Sequence, residues 1–193
     1  MATSLLDRLG LDRFSYCGVS LGGMVGMWLA AQAPSRVDRL ALCCTSARFD
    51  SPDPWRQRAD RVRREGSGAI AAQLVARWFT PPFVAGNPDA VRDFEDTLAG
   101  CTDEGYAACC EAIAAMDLRP VLPTVTAPTA VIAGAMDPAT PPSHGKVIAD
   151  AIPGARLHVV PDAAHLANVE RPGPVTAILI EHLVAKGIPD NVL

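Results

Sequence analysis

No apolar run in this sequence approaches the roughly 18 residues that a membrane-crossing helix needs, which argues against a membrane role. A strong excess of positive charge is also missing. The net charge is −4, with no basic stripe along the chain, so the electrostatic footprint of nucleic-acid binding is absent. The first residues, Met1-Ala2-Thr3-Ser4-Leu5-Leu6-Asp7-Arg8, lack the basic and apolar regions of a signal peptide, and a cytoplasmic protein is expected. Aromatic residues are scarce at 5%, so aliphatic and small side chains must build the core. No C-x-x-C occurs among the six cysteines. Cys43-Cys44 and Cys109-Cys110 are adjacent pairs, Cys17 ends an apolar run and Cys101 stands apart. None has a histidine spacing that would complete a zinc site. The cysteines are expected to be small buried side chains in a reducing compartment.

What is present is a 193-residue chain, 49% hydrophobic and 20% charged. That is enough for one packed domain with a modest insertion. Its centre is Gly18-Val19-Ser20-Leu21-Gly22, a G-x-S-x-G nucleophile-elbow pattern. An apolar run from Phe14 to Cys17 reads as a buried strand before it. Met24 to Ala33 reads as a helix of small residues after it. Such a turn must be tight enough to strain the serine backbone and lift its hydroxyl above the sheet. Gly18 and Gly22 are both expected to be required because a Cβ at either would collide. Ser20 would then lie at a helix N-terminus, with the N–H of Leu21 facing a developing oxyanion.

In chain order, Ser4 to Leu9 reads as a short helix ending at Gly10. Val37 to Cys44 becomes continuously apolar from Leu40, as in a strand buried on both faces of a parallel sheet. This strand–helix–strand unit indicates an α/β fold. From Phe49 to about Leu122 no strand is evident. Helices are expected at Trp55 to Glu65, Ser67 to Trp78, Asp89 to Gly100 and Asp103 to Met116, with breaks at Thr80-Pro81-Pro82 and Gly86-Asn87-Pro88. The Arg-rich run Arg56 to Arg64 reads as a solvated helix face. Residues 49–122 would thus form an all-helical cap over the carboxyl ends of the strands, where such sheets bind ligands. Residues 1–48 and 123–193 would form the core. In that second part, strands are expected at Thr129 to Ala133 and Arg156 to Val160, and helices at Ser143 to Ile152 and Pro174 to Lys186.

Ser20, Asp137 and His165 occur in the order Ser, Asp, His, each in a loop directly after an expected parallel strand. All three loops open on one edge of the sheet, the order and placement of an α/β-hydrolase triad. A serine hydroxyl is a poor nucleophile at neutral pH and needs a base beside it. His165 can be that base, and Asp137 can fix the imidazole tautomer. His158 lies inside a strand and His182 inside a helix, so packing or solvation is expected for each. His144, at a helix start, reads as capping or exposed. Asp162 reads as an exposed turn acid.

Several stretches together resemble the 3-oxoadipate enol-lactonase family of the α/β-hydrolase superfamily. They are Cys17-Gly18-Val19-Ser20-Leu21-Gly22-Gly23-Met24-Val25-Gly26, Ala76-Arg77-Trp78-Phe79-Thr80, Gly105 to Ile113, Asp117-Leu118-Arg119, Ala133 to Pro142 and Ala163 to Glu170. The resemblance implies a mostly parallel sheet flanked by helices with a helical cap, and cofactor-free opening of a small anionic enol-lactone to 3-oxoadipate in aromatic catabolism. It also implies that cationic or donor groups from the cap hold the substrate, with Arg48, Arg77, Trp78 and Arg119 as candidates. Family members extend further at the N-terminus, where the first strands and a His-Gly loop supply the second oxyanion N–H. The resemblance therefore implies a missing N-terminal segment, or a partner such as a fused module; enol-lactonase modules are sometimes joined to a decarboxylase. The isolated chain is expected to be poorly soluble or nearly inactive. Another hydrolase of this fold, an esterase or haloperoxidase-like enzyme, and a non-catalytic remnant are the readings left open.

Overall fold

The computed structural model describes residues 6–184. Four strands form one sheet in the order β1-β2-β3-β4: β1 (Phe14–Val19), β2 (Val37–Cys43), β3 (Thr129–Gly134) and β4 (Arg156–Val160). All three pairings are parallel. The register places Val19 beside Cys43, Cys43 beside Ile132 and Gly134 beside Val160. The carboxyl ends of the strands therefore finish at one rim. β3 is buried along its whole length, which explains its unbroken apolar sequence. β1 has only one neighbour in the sheet, β2, so its other edge is unpaired among the described residues.

The sheet is covered on both faces. Leu40, Leu42 and Val131 pack with Met24, Met27 and Leu29 of α1 (Leu21–Gln32) and with Ile148 of the helix Pro142–Ala151. Cys43, Ile132 and Val160, on the opposite face by strand alternation, pack with Val175 of the helix Pro172–Val184. These two helices are α7 and α9 below.

Between β2 and β3 lie α2 (Asp53–Glu65), α3 (Gly68–Val75), α4 (Pro81–Gly86), α5 (Pro88–Ala99) and α6 (Asp103–Ala115), then a 3-10 turn at Leu122–Thr124. They have a core of their own, in which Val62, Ile70, Leu74, Val75, Phe79, Val91 and Leu98 are buried together. The arginines of α2 lie outward and are paired: Arg63 meets Glu104 and Glu111 of α6, and Arg61 meets Glu65. Arg58 stacks over the Trp55 ring.

Several boundaries differ from the sequence reading, and proline accounts for most of them. Pro81 and Pro82 open α4, Pro88 opens α5, and Pro142 and Pro172 open α7 and α9. A proline in the first helical turn loses no hydrogen bond and presents a suitable φ. These prolines therefore start helices that a break-based reading ended or missed. β1 runs two residues past Cys17, to Val19. A one-turn helix, α8 (Ala167–Glu170), also went unread. Residues 6–8 are helical, whereas Ser4 at the expected helix start and Lys186 at the expected end of the last helix lie outside the described residues.

Candidate active site

Ser20 stands between the last residue of β1 and the first of α1, with φ 52° and ψ −115°. This left-handed conformation costs a non-glycine residue of order 1–3 kcal/mol and persists only where the surroundings hold it. They do so with three hydrogen bonds. The Ser20 N–H donates to the Cys43 carbonyl at 2.9 Å, and the Ser20 carbonyl accepts from Met24 N–H at 3.1 Å and from the Thr45 hydroxyl at 2.7 Å. Cys44, at the end of the neighbouring strand, also has a positive φ of 44°, and its N–H donates to Ile132. Gly18 faces the Gly22 backbone too closely for any Cβ, but a Cβ on Gly22 would meet nothing within 4 Å. The expected requirement for glycine at Gly22 is thus corrected: it points into open space.

Asp137 lies in the loop after β3 and is 3% exposed; His165 lies in the loop after β4 and is 6% exposed. Gly134 lets these loops meet, since a Cβ there would stand 2.1 Å from the Ala164 carbonyl oxygen. Asp137 Oδ1 accepts the N–H groups of Ala139 and Thr140 at 2.8 and 3.0 Å. Its Oδ2 accepts the Thr140 hydroxyl at 2.7 Å and faces His165 Nδ1 at 2.8 Å. Burial alone would raise the Asp137 carboxyl, but the His165 contact and the Thr140 donors outweigh it and hold the group below its ordinary value. An ionised carboxylate only accepts, so Nδ1 carries the proton. In the neutral ring Nε2 is then the acceptor, and it lies 2.9 Å from Ser20 Oγ. The three side chains form one hydrogen-bonded line through residues 20, 165 and 137. It can move a proton off the serine hydroxyl and stabilise the resulting imidazolium.

Leu21 is the first residue of α1, so its N–H has no intrahelical acceptor and can serve an oxyanion. Beside it opens an apolar cleft of about 200 Å³ lined by Leu21, Met24, Val25, Trp28, Ile113 and Met116, among others. The four expected substrate groups fall into two pairs, Arg48 with Arg119 and Arg77 with Trp78. Arg119 donates to both oxygens of Asp117 at 2.9 and 2.7 Å, and Arg48 sits 3.9 Å from the same carboxylate. Arg77 is exposed. Trp78 is half-buried with its ring edge-on to Phe94, and its carbonyl accepts the Leu166 N–H at 3.0 Å, beside the histidine.

The remaining candidates fall elsewhere. His182 Nε2 lies 3.0 and 3.1 Å from the Leu40 and Pro128 carbonyls, at the amino end of the sheet. His144 is neither a cap nor fully exposed; its ring packs edge-on against Phe49. Asp162 is exposed and paired with Arg171. The cysteines divide evenly rather than being all buried: Cys43, Cys44 and Cys110 are buried, whereas Cys17, Cys101 and Cys109 are exposed, and all six are free thiols. Cys17 lies on β1, whose outer edge is unpaired among the described residues. Among the described residues no cluster of His, Cys, Asp or Glu could hold a metal, and no helix is long and apolar enough to cross a membrane.

The sequence reading missed three supporting residues. Thr45 holds the strained serine, Thr140 holds Asp137, and Glu170 joins the histidine loop to the helical segment. Only Thr140 had a local signal, since an Asp followed three residues later by Thr suits a side-chain-capped turn.

The alpha/beta hydrolase fold family matches residues 1–172. The chain is 40% identical to 3-oxoadipate enol-lactonase 2 of Acinetobacter baylyi over 169 residues, 88% of this chain and 63% of that protein. Among solved structures it resembles the enol-lactonase from Burkholderia xenovorans LB400, with a TM-score of 0.92 and 40% identity over 95% of this chain and 70% of that one. It also resembles a thermophilic esterase from Thermogutta terrifontis, with a TM-score of 0.85 and 33% identity over 92% of this chain and 67% of that one. The chain spans 63% of the length of the two enol-lactonases of Acinetobacter baylyi it matches. With a strained serine at the strand–helix turn and a matching family over most of its length, the chain belongs to the alpha/beta hydrolase fold family.

Proposed function

We propose that the chain is the greater part of a serine hydrolase that opens a small carboxylated enol-lactone, 3-oxoadipate enol-lactone, to 3-oxoadipate during breakdown of aromatic compounds. The observation that carries this is His165 bridging Ser20 and Asp137 at 2.9 and 2.8 Å. The similarity to enol-lactonases supports the substrate. Ser20 Oγ attacks the lactone carbonyl carbon as its proton passes to His165 Nε2. The tetrahedral oxyanion sits against the Leu21 N–H. The ring C–O bond then breaks, and the enol oxygen takes the proton from His165. Water, deprotonated by His165, attacks the acyl-serine and releases the new carboxylate. No step calls for a metal or organic cofactor.

Residues 49–122 act as the cap in this reading; Arg77, Trp78 and Arg119 within it, with Arg48 just before it, are the candidate anion-holding groups. The free edge of β1 supports a complementing polypeptide, either a segment outside residues 1–193 or a fused partner. That polypeptide pairs with β1 and supplies the second oxyanion N–H, without which turnover falls about 100 to 1000-fold. Six free thiols support a cytoplasmic setting.

A second reading, an esterase for uncharged esters, is favoured by the apolar cleft beside Leu21. A fluorophosphonate probe should label Ser20 and not the Ser20→Ala variant; failure to label removes the hydrolase reading. Turnover of the enol-lactone against aryl acetates then separates the two substrate classes. Rapid enol-lactone turnover by residues 1–193 alone would overturn the complementing polypeptide.

A further inference from the structure

One carboxylate outside the Ser20–His165–Asp137 line holds two parts of the site together. Glu170, at the end of α8 and half-buried, accepts on both oxygens. Oε1 accepts the Thr80 N–H and the Thr80 hydroxyl, each at 2.7 Å. Oε2 accepts the N–H of Ala164, the residue before His165. A fourth bond runs in parallel, from Leu166 N–H to the Trp78 carbonyl at 3.0 Å. Residues 164 and 166 flank the histidine, and both are tied, one through Glu170 and one directly, to the segment 78–80 between α3 and α4. Leu166 and Val169 also pack on the apolar core of the inserted helices.

The physical consequence is specific. The loop after β4 has no regular ladder to fix it at His165, and a ring placed about 1 Å off line loses a large part of its effect on a reacting hydroxyl. Charge-assisted hydrogen bonds are the stronger kind and are directional. Both oxygens of one carboxylate are used, so the loop cannot slide relative to Thr80 without breaking bonds on one side or the other.

We propose that Glu170 is a positioning residue: its carboxylate locks the His165 loop to the cap at Thr80, so that the cap's seating sets the alignment of the imidazole with Ser20. This rests on the hydrolase reading above. The residue would couple the seating of the inserted helices to the base that activates the nucleophile.

Two readouts test it on the full chain. Glu170→Gln keeps the volume but offers an acceptor on one side only; its amide NH2 must face an N–H donor on the other. The expected result is a folded protein whose Ser20 labels with a fluorophosphonate about tenfold more slowly, and whose hydrogen-bonded His165 Nδ1 proton loses its downfield NMR signal. Thr80→Val removes the hydroxyl donor alone, and a smaller slowing is expected. The double variant should label no more slowly than Glu170→Gln, because both changes act through one carboxylate. Wild-type labelling rates with an unchanged Nδ1 signal in Glu170→Gln would overturn the proposal, as would effects that multiply in the double variant. If Glu170→Gln does not fold, Thr80→Val decides, and an unchanged rate there overturns it. Absence of labelling in the unaltered chain counts against the hydrolase reading alone, because the NMR signal still reports whether Glu170 sets the histidine.

Discussion

Gly18 faces the carbonyl group of Gly22 across the elbow, and a Cβ on Gly18 would lie 2.4 Å from that group. The contact runs one way. A Cβ on Gly22 itself meets nothing within 4 Å, although both glycines belong to the same pentapeptide.

Their substitutions should therefore separate. Gly18→Ala pushes a methyl group against backbone that cannot swing aside, and a loss of more than about 2 kcal/mol, or failure to fold, is expected. Gly22→Ala adds a methyl group in the first turn of α1, where alanine favours the helix by roughly 0.5–1 kcal/mol. Thermal denaturation of both variants checks this. Equal destabilisation would show that the open space at Gly22 is not there.

Asp137 makes stability depend on pH. Its carboxyl is held below its ordinary value in the folded chain, so the charged form is stabilised by folding. That contribution is fully present above the unfolded value, about 4, and is lost as pH falls through the lower, folded value. Denaturant titrations should show a stability that falls below about pH 4, and Asp137→Asn should flatten that part of the profile. A profile that Asp137→Asn leaves unchanged would contradict the assignment.

Thr140→Val should act through the same carboxylate. The side chain keeps its shape but loses the hydroxyl that donates to Asp137 Oδ2 at 2.7 Å. A bond to a charged acceptor contributes about 1.5–3 kcal/mol, so a loss of that order at neutral pH is expected. The acid-side fall of stability should also become shallower, because the folded carboxyl is less depressed. A loss with no change in pH dependence would mean that the hydroxyl serves packing alone.

Cys17 and Cys43 should differ in reactivity. They lie on adjacent strands, and the Cys43 thiol's hydrogen bond lowers Cys17 to about 7. The same contact, with burial, raises Cys43. Cys17 is also exposed. Since the thiolate is the reactive form, alkylation followed by peptide mapping should find Cys17 modified first, with a half-maximal rate near pH 7. Cys43→Ala should move that midpoint upward. Buried Cys44, raised to about 11 chiefly by desolvation, should resist labelling in the folded chain.

The limits of sequence reading follow from the range of the interactions. β2 and β3 were legible because burial on both faces demands an unbroken apolar run. The long helices α2, α5, α6 and α7 were legible from the Pro-rich and Gly-rich breaks between them, although prolines in their first turns displaced some starts. α4 and α8 span six and four residues, too short for a period to show. Arg119 is a candidate for an anionic substrate only through the resemblance; that its guanidinium also donates to Asp117, two residues away, is a pairing no periodicity shows.

Ser20, Asp137 and His165 were chosen along the chain from a turn motif and from loops that follow apolar strands, all of them local properties. The sequence alone thus determined that a parallel sheet would bring these loops to one rim, because strand direction and loop position follow from nearest neighbours. It could not say that Thr45 and Glu170 help hold the three in line, or that Cys17 would lie exposed on a strand whose outer edge is unpaired among the described residues. Those relations join residues up to 90 positions apart, and only the folded packing of strands, loops and inserted helices decides which distant donor reaches which acceptor.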